Sequence, residues 1–148
     1  MSARFYDQDV RSGLKDKRKL SAFLDTLVSK YRKKLKKATL TYIFCTDPYL
    51  LQINQQFLDH NTFTDIITFD LSGSPDELIG EIYISVERIR ENAEKFNTTY
   101  ADELHRVIFH GALHLCGYKD KKESDKKEMR RMEDKCLKDY FKVPANAN

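Results

Sequence analysis

The sequence predicts an α+β fold, an α/β sandwich with one small mixed sheet and helices packed on it. Three observations predict it. Segments 38–45, 66–71 and 78–85 are dense in β-branched and aromatic residues, which suit a pleated, half-buried surface. Segments such as 17–35 and 123–141 repeat apolar residues at spacings of three and four, the signature of an amphipathic helix. The second and third strands adjoin through a short turn, which favours an antiparallel pair, while helices separate the other elements.

In chain order, the first helix, 17–35, carries Leu20, Phe23, Leu24, Leu27, Val28 and Tyr31 as one stripe, with Lys, Arg and Ser opposite. ATLTYIFC follows as a strand over 38–45. Thr46-Asp47-Pro48 opens a helix over 48–58, where proline in the first turn loses no hydrogen bond. Residues 59–64 read as a polar loop before the strand 66–71, and Ser72-Gly73-Ser74-Pro75-Asp76 turns the chain into the strand 78–85. Ser85 is a candidate N-cap for a helix over 86–97. Thr99 with Asp102 resembles a capping box for a helix over 100–116, and Gly117 is a natural C′ stop. The last helix, 123–141, puts Met129, Met132, Cys136, Leu137 and Tyr140 on one side. The tail, 142–148, is expected to be flexible.

A chain of 148 residues with 41% hydrophobic and 33% charged residues suits one domain, 1–148, and is too apolar and aromatic for disorder. The net charge of +3 is too mild to prove a nucleic-acid partner. Its distribution says more. Lys33, Lys34, Lys36 and Lys37 crowd one stretch, where they suit either phosphate binding or a solvated helix end. Cys45, Cys116 and Cys136 form no CxxC pair and leave one over in any pairing, which argues against structural disulfides. The N-terminal MSARFYDQDV has no apolar core of signal-peptide length, and no run approaches the roughly 20 apolar residues of a membrane span. A cytoplasmic location is expected, with no membrane partner.

Chemistry concentrates in the helix over 100–116. At about 100° per residue, His110 and His114 project from one face and can share a metal. Two ligands do not make a catalytic site. Once Gly117 ends the helix, Tyr118-Lys119-Asp120 can turn back past its end, so Asp120 is the expected third ligand. Cys116 points well away from His114, and His105 lies on the far face as a structural residue. His60, in the polar loop, reads as solvated or as a group approaching substrate. Gly111 occupies the slot that holds a Glu base in HExxH peptidases, and its small size is expected to open space beside the metal.

HGALHLCGYKD, residues 110–120, resembles the H-G-x-L-H-L-x-G-Y-D-H signature of the bacterial YbeY family of rRNA maturation factors. It departs from the fixed positions only at Lys119 and Asp120. Ile53-Asn54-Gln55-Gln56-Phe57 and Thr64-Asp65-Ile66-Ile67-Thr68-Phe69 are similar to the family's L-N-x-x-Y and T-D-V-L-S-F, and Gly80-Glu81-Ile82 to its G-D-I. The resemblance covers roughly residues 40–140. It implies a zinc-dependent, single-strand-specific endoribonuclease of small-subunit rRNA processing and ribosome quality control. By position, His110 and His114 are zinc ligands and Asp120 stands where a third His is expected. Leu58 stands where the pattern has an Arg, so Lys95, Arg106 or Lys119 would have to bind phosphate instead.

The expected RNA-contacting set is therefore Lys33, Lys34, Lys36, Lys37, Arg106 and Lys119, on single-stranded RNA of a ribosome or small-subunit precursor. No residue is singled out as catalytic beyond the metal ligands. Two other readings compete: a metallopeptidase, weakened by Gly111, and a non-catalytic assembly factor with a structural metal.

Overall fold

The computed structural model describes residues 2–60 and 63–142. The expected flexible tail falls outside them except for Lys142. In chain order the elements are β1 (Ser2–Asp7), α1 (Lys17–Tyr31), β2 (Lys37–Cys45), α2 (Asp47–Leu58), β3 (Ile66–Asp70), β4 (Glu77–Ser85), α3 (Val86–Lys95), α4 (Tyr100–Leu115) and α5 (Glu123–Lys142). The sheet runs β1-β2-β4-β3. β1, β2 and β4 are parallel, and β3 is the antiparallel edge beside β4. This is the α+β architecture the sequence predicts.

The local signals act as expected at several ends. Thr46, Ser85 and Thr99 each accept a backbone N–H, from Tyr49, Arg88 and Asp102, and so cap α2, α3 and α4. Gly117, at φ +100°, ends α4 in a Schellman turn: its N–H donates to His114 O and that of Tyr118 to Leu113 O. Two elements differ from expectation. The first helix stops at Tyr31 rather than 35, because Arg32 leaves helical geometry and donates to Leu115 O at 2.9 Å. Sequence patterning gives no strand before residue 17, yet β1 is there. It is an edge strand whose inward residues are only Ala3 and Phe5, too few to register as alternation.

Alternation in β2 and β4 sends Leu40, Tyr42, Phe44, Leu78, Ile82 and Ile84 to one face. There they meet α1, α4 and α5 in the main core. α2 packs Leu50 and Ile53 against Cys45 and Ile67 on the opposite face. α4 is held close to the sheet. A Cβ on Gly111 would lie 3.1 Å from both Ile66 and Ile82, Leu115 fills the space left by the missing side chain of Gly80, and the buried Tyr42 hydroxyl donates to Ile108 O at 2.9 Å. The core side of α4 is thus fixed by packing, and its other side faces a cavity. No helix among the described residues is long and apolar enough to cross a membrane.

Candidate metal centre

α4 and the loop after Gly117 bring His110, His114 and Asp120 together at a cavity of about 880 Å³. Their ligand atoms all lie within 4.8 Å of one another. His110 Nε2 is 3.2 Å from one Asp120 oxygen, and His114 Nε2 is 3.5 Å from the other. Zinc bonds of about 2.0–2.2 Å in tetrahedral geometry place neighbouring ligand atoms about 3.3–3.6 Å apart. Each histidine nitrogen stands within a few tenths of an ångström of that spacing from its nearer Asp120 oxygen, and one ligand atom from each residue lies within 4.8 Å of the others. The residues present could therefore hold one metal ion, and no other such group occurs among the described residues. The donor set leaves a fourth position for water or substrate.

α5 supplies the support. Glu133, almost wholly buried, lies 2.6 Å from His110 Nδ1. A proton on Nδ1 shared with that carboxylate leaves the Nε2 lone pair turned toward Asp120, the tautomer a metal ligand needs. Arg106 holds Glu133 at 3.0 Å and Asp134 at 2.7 Å. Burial works against a charged His110, but the hydrogen bond and charge of Glu133, with Asp120 and Asp65 adding, raise its pKa overall. A metal bound at Nε2 would replace the second proton that the imidazolium carries there and leave the Nδ1 proton shared with Glu133.

Two further carboxyls complete the acidic wall. Burial raises the pKa of Asp65, against the pull of His110, and raises that of Glu103, against the pull of Arg106. Sequence patterning did not single out either, nor Glu133, Lys121 and Arg130, which also line the cavity. Glu133 did leave a signal. It shares the apolar face of α5 with Met129, Met132, Cys136 and Tyr140, where a charge needs a partner.

The other sequence-predicted residues are spread out. Arg106 lines the cavity but is committed to its two carboxylates. Lys119 is exposed and does not line it. Lys33, Lys34, Lys36 and Lys37 lie outside it, beside the Arg32 that holds the C-terminal end of α4. His60 does line the cavity. Cys116 is not in the metal group, and burial pushes its thiol up to about 11, which keeps it protonated. His105 is buried on the aromatic side of α4. Gly111 corrects an expectation: it faces Ile66 and Ile82 on the sheet and opens no space beside the metal.

Fold and site define an α+β protein whose central helix and the loop after it carry a His-His-Asp group that could hold a metal ion at the mouth of a cavity. The family model described as endoribonuclease YbeY matches residues 6–141, and the chain belongs to that family. It is 45% identical over 133 residues to the endoribonuclease YbeY of Cytophaga hutchinsonii, covering 90% of this chain and 92% of that protein. It is 57% identical over 107 residues to that of Flavobacterium psychrophilum, covering 72% and 75%. Among solved structures it is similar to the solution structure of TM1509 from Thermotoga maritima, at a TM-score of 0.59 and 26% identity, covering 94% of this chain and 89% of that one.

Proposed function

We propose that the chain is a zinc-dependent endoribonuclease that cuts single-stranded RNA during maturation of small-subunit rRNA and in ribosome quality control, in the cytoplasm. Its reaction class is that of the endoribonuclease family it belongs to. The observation that carries the metal-dependent reading is the convergence of His110 Nε2, His114 Nε2 and Asp120 at the cavity. Electrostatics support it. Asp65, Asp70, Glu103, Asp120 and Glu133 outnumber Arg106, Lys121 and Arg130 around the cavity, so a phosphodiester entering it needs added positive charge. A divalent ion held there would supply Lewis acidity toward a phosphoryl oxygen and make a water more acidic.

The chain's own groups take the remaining roles. Glu133 orients His110, and Arg106 orients Glu133. We assign Asp65 the proton of the attacking water, because it lines the cavity within reach of the charge of His110 and burial raises its pKa. We assign Lys121 and Arg130, which line the cavity, to phosphates there, and the run from Lys33 to Lys37, which follows the Arg32 bonded to the end of α4, to phosphates farther along the strand. The reading takes 1–148 as one catalytic domain, supported by a core shared among β2, β4, α1, α4 and α5. Free Cys45, Cys116 and Cys136 support the reducing compartment.

Gly111 weighs against the peptidase reading. A Glu in that slot would be driven into Ile66 and Ile82 rather than toward the metal ligands. The test is cleavage of unstructured RNA by purified protein, with and without chelator. Chelator-sensitive cleavage of the single strand is expected, with little cleavage of a full duplex and no turnover of unfolded casein-like peptides. Changing Lys33, Lys34, Lys36 and Lys37 to Gln is expected to flatten the slope of log affinity against log salt by about 0.7 for each phosphate these lysines neutralise. Bound metal with no RNA cleavage by the folded protein would favour the non-catalytic assembly factor.

A further inference from the structure

Two walls of the cavity differ in kind. One holds the metal-binding group with its carboxylates and cations, and the other exposes large apolar side chains. Phe63 is 54% exposed, Phe96 58% and Leu58 40%, and all three line the same cavity. Single exposed apolar residues need no explanation. Three at the rim of one cavity that also carries the metal centre do.

Both aromatic rings are backed by a cation. Arg88 lies over Phe63 with its guanidinium carbon 5.2 Å from the ring centroid, and Lys95 lies over Phe96 at 5.5 Å. Arg88 is itself held by Asp47 at 3.2 Å, so the support under Phe63 is anchored to α2. Each ring therefore has a cation over one face, and each residue still exposes more than half of its surface. A flat ring with an open side is a stacking surface for a nucleobase, and the Lys95 ammonium beside Phe96 suits the phosphate that accompanies it, whereas Arg88 is taken up by Asp47 and Glu91. Leu58 adds apolar contact without charge. On this wall the chain offers surfaces for bases, whereas Lys121 and Arg130 offer charge for phosphates.

We propose that Phe63 and Phe96 form a base-stacking platform that seats unpaired bases of the RNA beside the metal centre. The inference rests on the RNA reading above and deepens it: the substrate is recognised through splayed bases as well as backbone charge. Stacking needs bases free of a duplex, which makes this wall a source of single-strand preference. It does not select one base strongly, because every base has a π-face.

The experiment measures binding of the metal-loaded protein to a single-stranded RNA oligonucleotide containing 2-aminopurine, whose fluorescence reports stacking, by rapid mixing so that binding is read before cleavage. Phe63→Ala and Phe96→Ala are each expected to weaken binding about 5-fold or more and to reduce the fluorescence change. Tyr at either position should restore both, and Leu, which keeps apolar bulk without a flat ring, should not. An abasic oligonucleotide of the same length should bind wild type more weakly than the base-containing one and bind the double Ala variant as well as the base-containing one does. Full affinity in the double Ala variant, or rescue by Leu equal to that by Tyr, overturns the platform while chelator-sensitive RNA cleavage by wild type leaves the RNA reading standing. If wild type neither binds nor cleaves single-stranded RNA, both fall.

Discussion

His105 and His110 lie on the same helix and pack against the same partner helix, α5, yet their surroundings assign them opposite chemistry. His105 is 7% exposed, pairs its Nδ1 with Ala101 O at 2.7 Å and stacks on Tyr140 at 5.2 Å, with Phe141 edge-on at 4.9 Å. Burial lowers its pKa, so it is a neutral aromatic core residue. His110 meets Glu133 of α5 instead of an aromatic ring, and its pKa is raised. What differs is the residue α5 presents: Tyr140 in one place, Glu133 two turns earlier. His110 is suited to be a ligand because a buried carboxylate can fix its tautomer and a second carboxylate, Asp120, meets its other nitrogen.

The sharpest way to break the carboxylate side is Asp65→Asn, which keeps size and removes the proposed base. We expect kcat for RNA cleavage to fall about 10²–10⁴-fold with metal content unchanged. Unchanged kcat would move that role to another group, Glu103 being next. Asp120→Ala should weaken metal affinity by more than the roughly 10–100-fold typical of losing a supporting group, without unfolding the domain, and Asp120→His should retain or tighten it. Metal titration followed by circular dichroism checks both. Glu133→Gln, which keeps an acceptor for His110 Nδ1 but removes the charge, should cost about 10–100-fold in metal affinity. An equal affinity would leave Glu133 as packing only.

The aromatic side predicts the smallest effect, and its sign is fixed by burial. His105 is depressed below its ordinary value of 6.5, with Lys19 on α1 adding to burial and the Ala101 carbonyl, Asp102 and Asp16 opposing it. The unfolded chain takes up a proton below about pH 6.5 and the folded one does not, so stability falls as pH drops from there toward the depressed pKa. His105→Gln cannot be protonated. Its Tm should therefore decline less than that of wild type between about pH 7 and 5, with both measured in the presence of chelator. Identical pH profiles would mean that His105 titrates normally in the fold.

Most of the fold was legible because its elements carry strong local signals: the apolar stripe of α1, the caps Thr46, Ser85 and Thr99, and the stop at Gly117. β1 was not, since an edge strand with two inward residues leaves almost no period to detect. His110, His114 and Asp120 were legible because helix geometry and one glycine turn place them within a short stretch of chain. The cavity's other groups come from β3 and the loop before it, from α3 and from α5, and they meet only through tertiary packing, so no spacing in the sequence announces Asp65 or Phe63. Gly111 was illegible for the same reason. Its neighbours are Ile66 and Ile82 on two strands, contacts that helix periodicity alone does not reveal.

We propose that His110 and His114 hold a metal ion, with Glu133 of α5 supporting His110 from behind. Elemental analysis of purified protein tests it most directly, comparing wild type with the His110→Ala, His114→Ala double variant after confirming that both are folded. One equivalent of zinc is expected in wild type and almost none in the double variant, because the packed face of α4 holds the fold without the ligands. One equivalent retained by a folded double variant would contradict it.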